Sequence, residues 1–488
     1  MVRRRGSRNL QNNGAFHRSQ KIVTLKKCTT MEETSRDTIV QHIESQRDFF
    51  STNKTKDIDF RLEQLRKLKK AIRKNQKKLE GALWEDLHKS PEESYLTEIS
   101  IVTGEIDNHI KHLKRWAKPK RVSTPLHLWP STSKVIYEPL GLCLIVAPWN
   151  YPFQLLINSL VGSISAGGCT ILKPSPDVPK TAIAMQEMIE ETFESNYIAV
   201  VQGGRETNSI LFNERFDIIF FTGSSKVGKV VMKAAAEHLT PVVLELGGKS
   251  PCIVDADANI DVAAKRIAWG KIINAGQTCI APDYLFAHHS IKDALLDKIA
   301  KNIKEMYGND IKESRFYPRI VNQRAIDRLE KLMNRGKIHS GGEIDEKERF
   351  IAPTIIDDVN PDFLIMQEEI FGPILPVMTF EHIDEPIQYI SKNEKPLAFY
   401  YFGKNRNAKE VLAKTTSGGA CINDTLMHIT NHNLPFGGVG NSGLGKYHGR
   451  ESFLAFSNRR AIVTTPTWID LPFKYAPFKY FKLIKRIV

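Results

Sequence analysis

Ile218-Ile219-Phe220-Phe221-Thr222-Gly223-Ser224-Ser225-Lys226-Val227-Gly228 reads as an apolar strand, a tight turn and the start of a helix. Glycine lets a phosphate approach the backbone, and a serine-capped helix N-terminus offers free N–H groups and the positive end of a dipole. The stretch is not the Gly-x-Gly-x-x-Gly fingerprint and alone is weak, because most strand-turn-helix junctions with a glycine bind nothing. Its surroundings add weight. From Gly141 to Gly248, short apolar runs (Leu142 to Ala147, Thr170 to Leu172, Ile198 to Val201, Ile218 to Phe221, Val242 to Leu244) alternate with helical stretches (Leu155 to Ala166, Thr181 to Phe193, Thr207 to Leu211, Lys226 to His238). This alternation predicts an α/β fold with a parallel sheet and crossover helices. Ligands bind beyond the carboxyl ends of such strands, where Trp149-Asn150, Lys173-Pro174-Ser175, Gly203-Gly204, Thr222-Gly223 and Glu245 fall. A second alternating region, with strands Cys252 to Val254 and Tyr284 to Ala287 and helices Val262 to Ile273 and Ile291 to Tyr307, predicts a second α/β domain beginning near Glu245.

A chain of 488 residues is too long for one ordinary core, so two or three domains are expected. No apolar run is long enough to cross a bilayer. The six cysteines are scattered, without the paired spacing of a zinc site or a disulfide framework, which fits a reducing, cytoplasmic compartment. The formal charge of +14 resides at the two ends. Residues 1–31 carry eight Lys or Arg and no acid, residues 459–488 carry seven against Asp470 alone, and the body between them sums to zero. Nucleic-acid binding by that body therefore loses its electrostatic argument.

The first thirty-one residues read as a disordered basic extension, or an over-long start with Met31 as the initiator, in preference to a transit peptide. Apolar residues at helical spacing from Thr38 to Leu83 predict two or three amphipathic helices, with the lysine-rich run Lys67 to Lys78 as their solvated face.

The chemistry centres on Cys279, in Asn274-Ala275-Gly276-Gln277-Thr278-Cys279, and Glu245, in Leu244-Glu245-Leu246-Gly247-Gly248-Lys249. A thiol between a small-residue turn and a polar flank suits a nucleophile, and a carboxylate at an apolar strand end suits a water-activating base. The alternative is a buried cysteine acting as a small hydrophobe and a glutamate that merely ends a strand.

From about Ile39 to Ile462 the chain resembles the aldehyde dehydrogenases, specifically the class 3 branch that includes the fatty aldehyde dehydrogenases. The resemblance rests on Ala147-Pro148-Trp149-Asn150-Tyr151-Pro152-Phe153, Leu172-Lys173-Pro174-Ser175, Phe221 to Gly228, Leu244 to Pro251, Asn274 to Pro282, Glu368-Glu369-Ile370-Phe371-Gly372-Pro373 and Leu434 to Gly443, in family order. It implies NAD(P)-dependent oxidation of a hydrophobic aliphatic or aromatic aldehyde. Cys279 would attack as a thiolate, of which cysteine supplies a workable fraction at neutral pH. The Asn150 amide and the Cys279 N–H would hold the oxyanion, and Glu245 would activate water against the thioester. For the cofactor, NAD or NADP, it implies Lys173 and Glu369 on ribose hydroxyls, Gly223, Ser224, Val227 and Gly228 near the pyrophosphate, and Phe371 beside the nicotinamide riboside, with Trp149 also in the cofactor site. Pro176 stands where many NAD-preferring relatives carry a glutamate, so no local charge is expected to repel a 2′-phosphate. His428 and His432 are expected to be pocket or structural histidines, with no metal, and Tyr151 and Trp269 are candidate pocket walls.

The expected architecture is the aldehyde dehydrogenase fold. It has a Rossmann-like dinucleotide-binding domain (32–117 and 141–244), a catalytic domain (245–428), and oligomerisation elements (118–140 and 429–463) that make a homodimer. The tail, 464–488, is expected to form a basic amphipathic helix from Lys474 that could touch a membrane peripherally. A CoA-acylating relative is the nearest rival, disfavoured by Glu245. A non-catalytic scaffold is the other, disfavoured by the presence of Cys279, Glu245 and Asn150 together.

Overall fold

In this computed structural model, residues 32–482 and 485 are described, and the expected basic extension, 1–31, lies outside them. The helical periodicity near the start forms two helices, Arg36–Ser51 and Ile58–Leu87, capped by the side chains of Ser35 and Asp57. Ile39, Ile43, Leu62, Leu65, Leu68, Ile72, Leu79 and Leu83 are buried, as the spacing requires. Lys67, Lys70, Lys74, Lys77 and Lys78 are exposed, and Lys74 and Lys78 pair with Glu191 and Glu187.

Every strand expected between Gly141 and Gly248 forms. The six-stranded sheet has the spatial order Gly443–Leu444, Val242–Leu246, Ile218–Gly223, Leu142–Val146, Cys169–Lys173, Ile198–Val200. All neighbours are parallel except Gly443–Leu444 against Val242–Leu246. Both faces are covered, which is why its strands read as continuous apolar runs. Chain order reverses at Leu142–Val146: later strands build outward first on one side and then on the other. That reversal opens a crevice between the carboxyl ends of Leu142–Val146 and Ile218–Gly223. One expectation is corrected here. Glu245 does not end its strand, which runs on to Leu246; it lies within it, opposite Thr222 on one side and Gly443 on the other.

The second sheet has seven strands, in the order Lys337–Ser340, Thr354–Asp357, Ile374–Phe380, Tyr284–His288, Pro251–Val254, Ala398–Phe402, Gly419–Ile422. Sequence reading located only Pro251–Val254 and Tyr284–His288 among these. A third sheet joins Lys120–Val122 and Thr132–Pro139, an antiparallel pair over the expected hairpin, to Ser457–Thr464. Val122 and Val463 on this sheet, and Leu126 and Trp129 on the connection within the hairpin, are exposed apolar side chains.

The expected helix from Lys474 is also corrected. Residues 475–480 are turn or irregular, and helix begins only at Phe481. Pro477 interrupts the pattern because it lacks the N–H that a helix interior needs. The side chains of Leu483, Ile484, Arg486, Ile487 and Val488 fall outside the described residues. No helix among the described residues is long and apolar enough to cross a membrane.

Candidate active site

After the helix Ile260–Ile272 the chain turns through Asn274, Ala275 and Gly276 at φ of 53°, 51° and 71°. Left-handed backbone at non-glycine residues costs about 1–3 kcal/mol each and persists only where surroundings over-determine it. They do here. Glu93 Oε1 accepts from the Asn274 N–H at 2.9 Å, and Asn274 Nδ2 donates to the Asn150 carbonyl at 2.8 Å. Gln277, fully buried, donates to the carbonyls of Asn274 and Arg319 and accepts from the Val321 N–H, each at 3.0 Å. A Cβ on Gly276 would collide with the Gly372 carbonyl, so only glycine fits that position.

This turn presents Cys279, half-buried, to a cavity of 470 Å³. Glu245 lines the same cavity, with predominantly apolar walls that include Tyr151, Trp269, Leu155 and Phe436. Both predicted wall aromatics are therefore in place. Tyr151 bonds Thr278 Oγ1 at 2.7 Å, next to the nucleophile position.

Both oxygens of Glu245 are buried without a hydrogen-bond partner. Burial pushes its carboxyl well above the usual range, opposed by the charge of Lys446. Burial likewise pushes the Cys279 thiol up, helped by the charges of Glu369 and Glu245 and opposed by the Cys279 and Ile280 N–H groups. Desolvation thus works against the thiolate fraction expected at neutral pH.

Asn150 does not line the cavity. It is buried behind the nucleophile turn, with Nδ2 donating to the Gln277 carbonyl at 3.0 Å and Oδ1 unpartnered. Sequence reading missed the ion pair beneath it. Lys89 Nζ bonds Glu98 Oε1 at 2.6 Å and the Asn150 carbonyl at 3.1 Å, while Glu98 Oε2 accepts from the Phe153 and Gln154 N–H groups at 2.9 and 3.2 Å. The pair braces the Trp149-Asn150 turn against the first turn of the helix Pro152–Ala166. Glu93, pushed up to about 7 by burial, was also missed.

The Trp149 and Phe371 rings meet edge-on at 5.4 Å between centroids. Glu369 is packed so closely on Gly247 that no Cβ fits there, and its Oε1 is buried and unpartnered, suited to a hydroxyl donor. Burial and Asp283 push its carboxyl up to about 8. The Lys249–Asp283 pair fixes this segment: Lys249 Nζ also donates to the Ile365 and Glu368 carbonyls at 2.8 Å, and Asp283 Oδ1 accepts from the Ile370 N–H at 2.9 Å.

At the carboxyl end of the neighbouring strand Lys173 is buried, its ammonium bonded to the Pro174 carbonyl at 2.8 Å and pushed down to about 8 by burial. Ser224 caps the helix Ser225–Ala236 by accepting from the Val227 N–H, and Val227 is partly exposed. Gly228 lets that helix approach the sheet: a Cβ there would stand 2.7 Å from Leu246 Cδ2. A capped helix start, a buried lysine and an orphaned carboxylate oxygen together fit a dinucleotide.

The sequence model of the aldehyde dehydrogenase family matches residues 12–462. This chain belongs to the aldehyde dehydrogenase family. It is 48% identical over 441 residues to the 4,4′-diaponeurosporen-aldehyde dehydrogenase of Staphylococcus aureus, covering 90% of this chain and 96% of that protein. It is 46% identical to the dimeric NADP-preferring aldehyde dehydrogenase of Rattus norvegicus, over 85% of this chain and 92% of the relative. A solved structure of the substrate-bound state of Staphylococcus aureus AldH superposes with a TM-score of 0.90 at 47% identity, covering 92% of this chain and 99% of that one. The protein is an aldehyde dehydrogenase, an oxidoreductase that converts aldehydes to acids with NAD or NADP.

In this aldehyde dehydrogenase two carboxylates act on Lys173, those of Glu33 and Asp177. Glu33 accepts from the Gly204 and Thr207 N–H groups at 2.9 and 3.0 Å and from the Thr207 hydroxyl. It comes from the segment before the first helix, where no motif announced it. His428 bonds Cys421 Sγ at 3.2 Å and His432 bonds Glu105 Oε2 at 2.8 Å, so the two face different partners.

Proposed function

We propose that this aldehyde dehydrogenase oxidises hydrophobic aliphatic or aromatic aldehydes by covalent catalysis at Cys279, with Glu245 as hydrolytic base. The observation that carries the reading is that Cys279 and an unpartnered, buried Glu245 share one largely apolar cavity. Apolar walls desolvate a hydrocarbon chain or ring favourably and leave the carbonyl to the polar end. A steady-state comparison of short, long and aromatic aldehydes with each cofactor tests it. Efficiency that fails to rise with apolar surface rejects the substrate class.

In the first half-reaction Cys279 Sγ gives its proton to water and bonds the aldehyde carbon. The candidate donors for the developing oxyanion are the Cys279 N–H and the Asn150 amide, whose Nδ2 donates to the Gln277 carbonyl behind the nucleophile turn. Bound NAD or NADP supplies the hydride acceptor and a cationic ring that favours the thiolate. Lys173 and Glu369 are suited to ribose hydroxyls, the Ser224-capped helix start with Gly223, Val227 and Gly228 to the pyrophosphate, and Trp149 and Phe371 to the nicotinamide end. Loss of hydride leaves a thioester on Cys279. Glu245 then takes a proton from water, hydroxide adds to the thioester carbon, and the carboxylic acid leaves as the C–S bond breaks.

The same reading divides the chain into cofactor (32–117 and 141–244) and catalytic (245–428) parts, supported by their separate sheets. The exposed apolar side chains on the three-stranded sheet and its connecting segment, and the relative named dimeric, support a homodimer through 118–140 and 429–463. Free cysteines fit a cytoplasmic setting. Exposed Tyr475, Phe478, Tyr480 and Phe481 among Lys474, Lys479 and Lys482 support peripheral membrane contact by the tail.

A further inference from the structure

Glu245 lies opposite Gly443 in the antiparallel pair that edges the first sheet, and the chain then turns at Gly445, φ 89°, to bring Lys446 back toward it. A Cβ on Gly437 would stand 2.8 Å from Glu245 Oε1 and 3.0 Å from Lys446 Cδ. The two side chains therefore flank one glycine, and any larger residue there would displace them. Lys446 Nζ is gripped by the carbonyls of Gly437, Gly438 at 3.2 Å and Gly418 at 3.4 Å. Carbonyl dipoles orient the ammonium but do not cancel its charge. It is also the cation that acts on Glu245, a carboxylate with no donor of its own.

We propose that Lys446 is a positioning residue whose ammonium, across Gly437 from Glu245, favours the ionised form of that base during hydrolysis of the Cys279 thioester. The inference rests on the reading of Glu245 as the base. The titratable groups coupled to Glu245 are Lys446, Cys279 and the Tyr447 hydroxyl. Once Cys279 is acylated it carries no charge, so Lys446 alone of these opposes the desolvation of the base. A lysine that only pinned Gly437 and Gly438, beside the cavity wall at Phe436, would matter equally at every pH.

Lys446→Gln separates the two roles, since it retains N–H donors for the carbonyls without the charge. In the full-length enzyme, decay of the acyl-enzyme from a single turnover of a soluble aldehyde is measured from about pH 6 to 9.5 for wild type, Lys446→Gln, Lys446→Arg and Glu245→Gln. Lys446→Gln should keep a stoichiometric NADH burst while the rising limb of hydrolysis moves up by about one pH unit or more. Hydrolysis below the limb then falls about tenfold and recovers at high pH. Lys446→Arg should hold the limb near its wild-type position. An unshifted limb in Lys446→Gln, or a uniform fall at all pH values, overturns the proposal. Rapid acyl-enzyme decay in Glu245→Gln would instead overturn the reading of Glu245, so the two failures are distinct. If Lys446→Gln does not fold, by circular dichroism and thermal melting, Lys446→Met is read by the same criteria.

Discussion

At the residue scale, burial sets the protonation of both reactive groups: Cys279 and Glu245 face one apolar cavity and each is pushed up. Both act in their deprotonated forms, so raising the pH populates the active state of each. Turnover should therefore climb across about pH 6 to 9 rather than plateau at the acidic end. A flat profile over that range would count against desolvation as the controlling influence. Cys279→Ala should abolish turnover while NAD affinity, read by fluorescence titration, stays unchanged, because the thiol makes the covalent bond and the cofactor contacts lie elsewhere. Glu245→Gln should release one NADH per site in a burst and then turn over very slowly. Near-normal oxidation by Cys279→Ala would defeat the covalent mechanism outright.

At the element scale, the Lys89–Glu98 pair joins the second long helix's C-terminal end to the Trp149-Asn150 turn with both side chains fully buried. Removing one partner leaves an uncompensated charge in a low-dielectric site. Glu98→Ala should cost about 3–5 kcal/mol in denaturant unfolding, and the double variant Lys89→Met/Glu98→Leu should recover part of it. Equal loss in single and double variants would mean that backbone capping, not charge, dominates. One strand along, at the carboxyl end that carries Lys173, both NAD and NADP should be used, with efficiencies within about two orders of magnitude. Pro176→Glu should weaken NADP selectively by adding a carboxylate. Glu33→Gln should favour NADP by removing one that already acts on Lys173. If neither variant changes NADP affinity in titrations, the 2′-phosphate lies away from both residues.

For the whole molecule, the charge excess at the ends sets the terms of any membrane contact. Aromatic and basic side chains alternate along the exposed 474–482 segment without forming a helix until Phe481, so contact would be through an irregular strap rather than a helix face. Full-length protein and a version ending at Pro472 should differ in flotation with anionic vesicles at low salt. The difference should shrink at physiological salt while activity toward a soluble aldehyde is unchanged. Equal failure of both to float rejects a membrane role for the tail.

The sequence by itself determined the local pattern: the strand-helix alternation from Gly141 to Gly248, the capped turn at Ser224 and the amphipathic helices before Leu87. These are legible because periodicity, caps and turn chemistry depend on near neighbours. Cys279 and Glu245 stood out as candidates by their residue chemistry, and Asn150 through the family resemblance. The tertiary structure alone decided which distant residues meet. Glu33 against Gly204, Lys89 against Asn150, Glu93 against Asn274 and Lys446 beside Glu245 are brought together by strand order, not by spacing. It also decided the direction in which the thiol and the base are pushed, both upward, since a pKa depends on how much water the fold removes and which charges it leaves nearby, and neither quantity is written in a local stretch of chain.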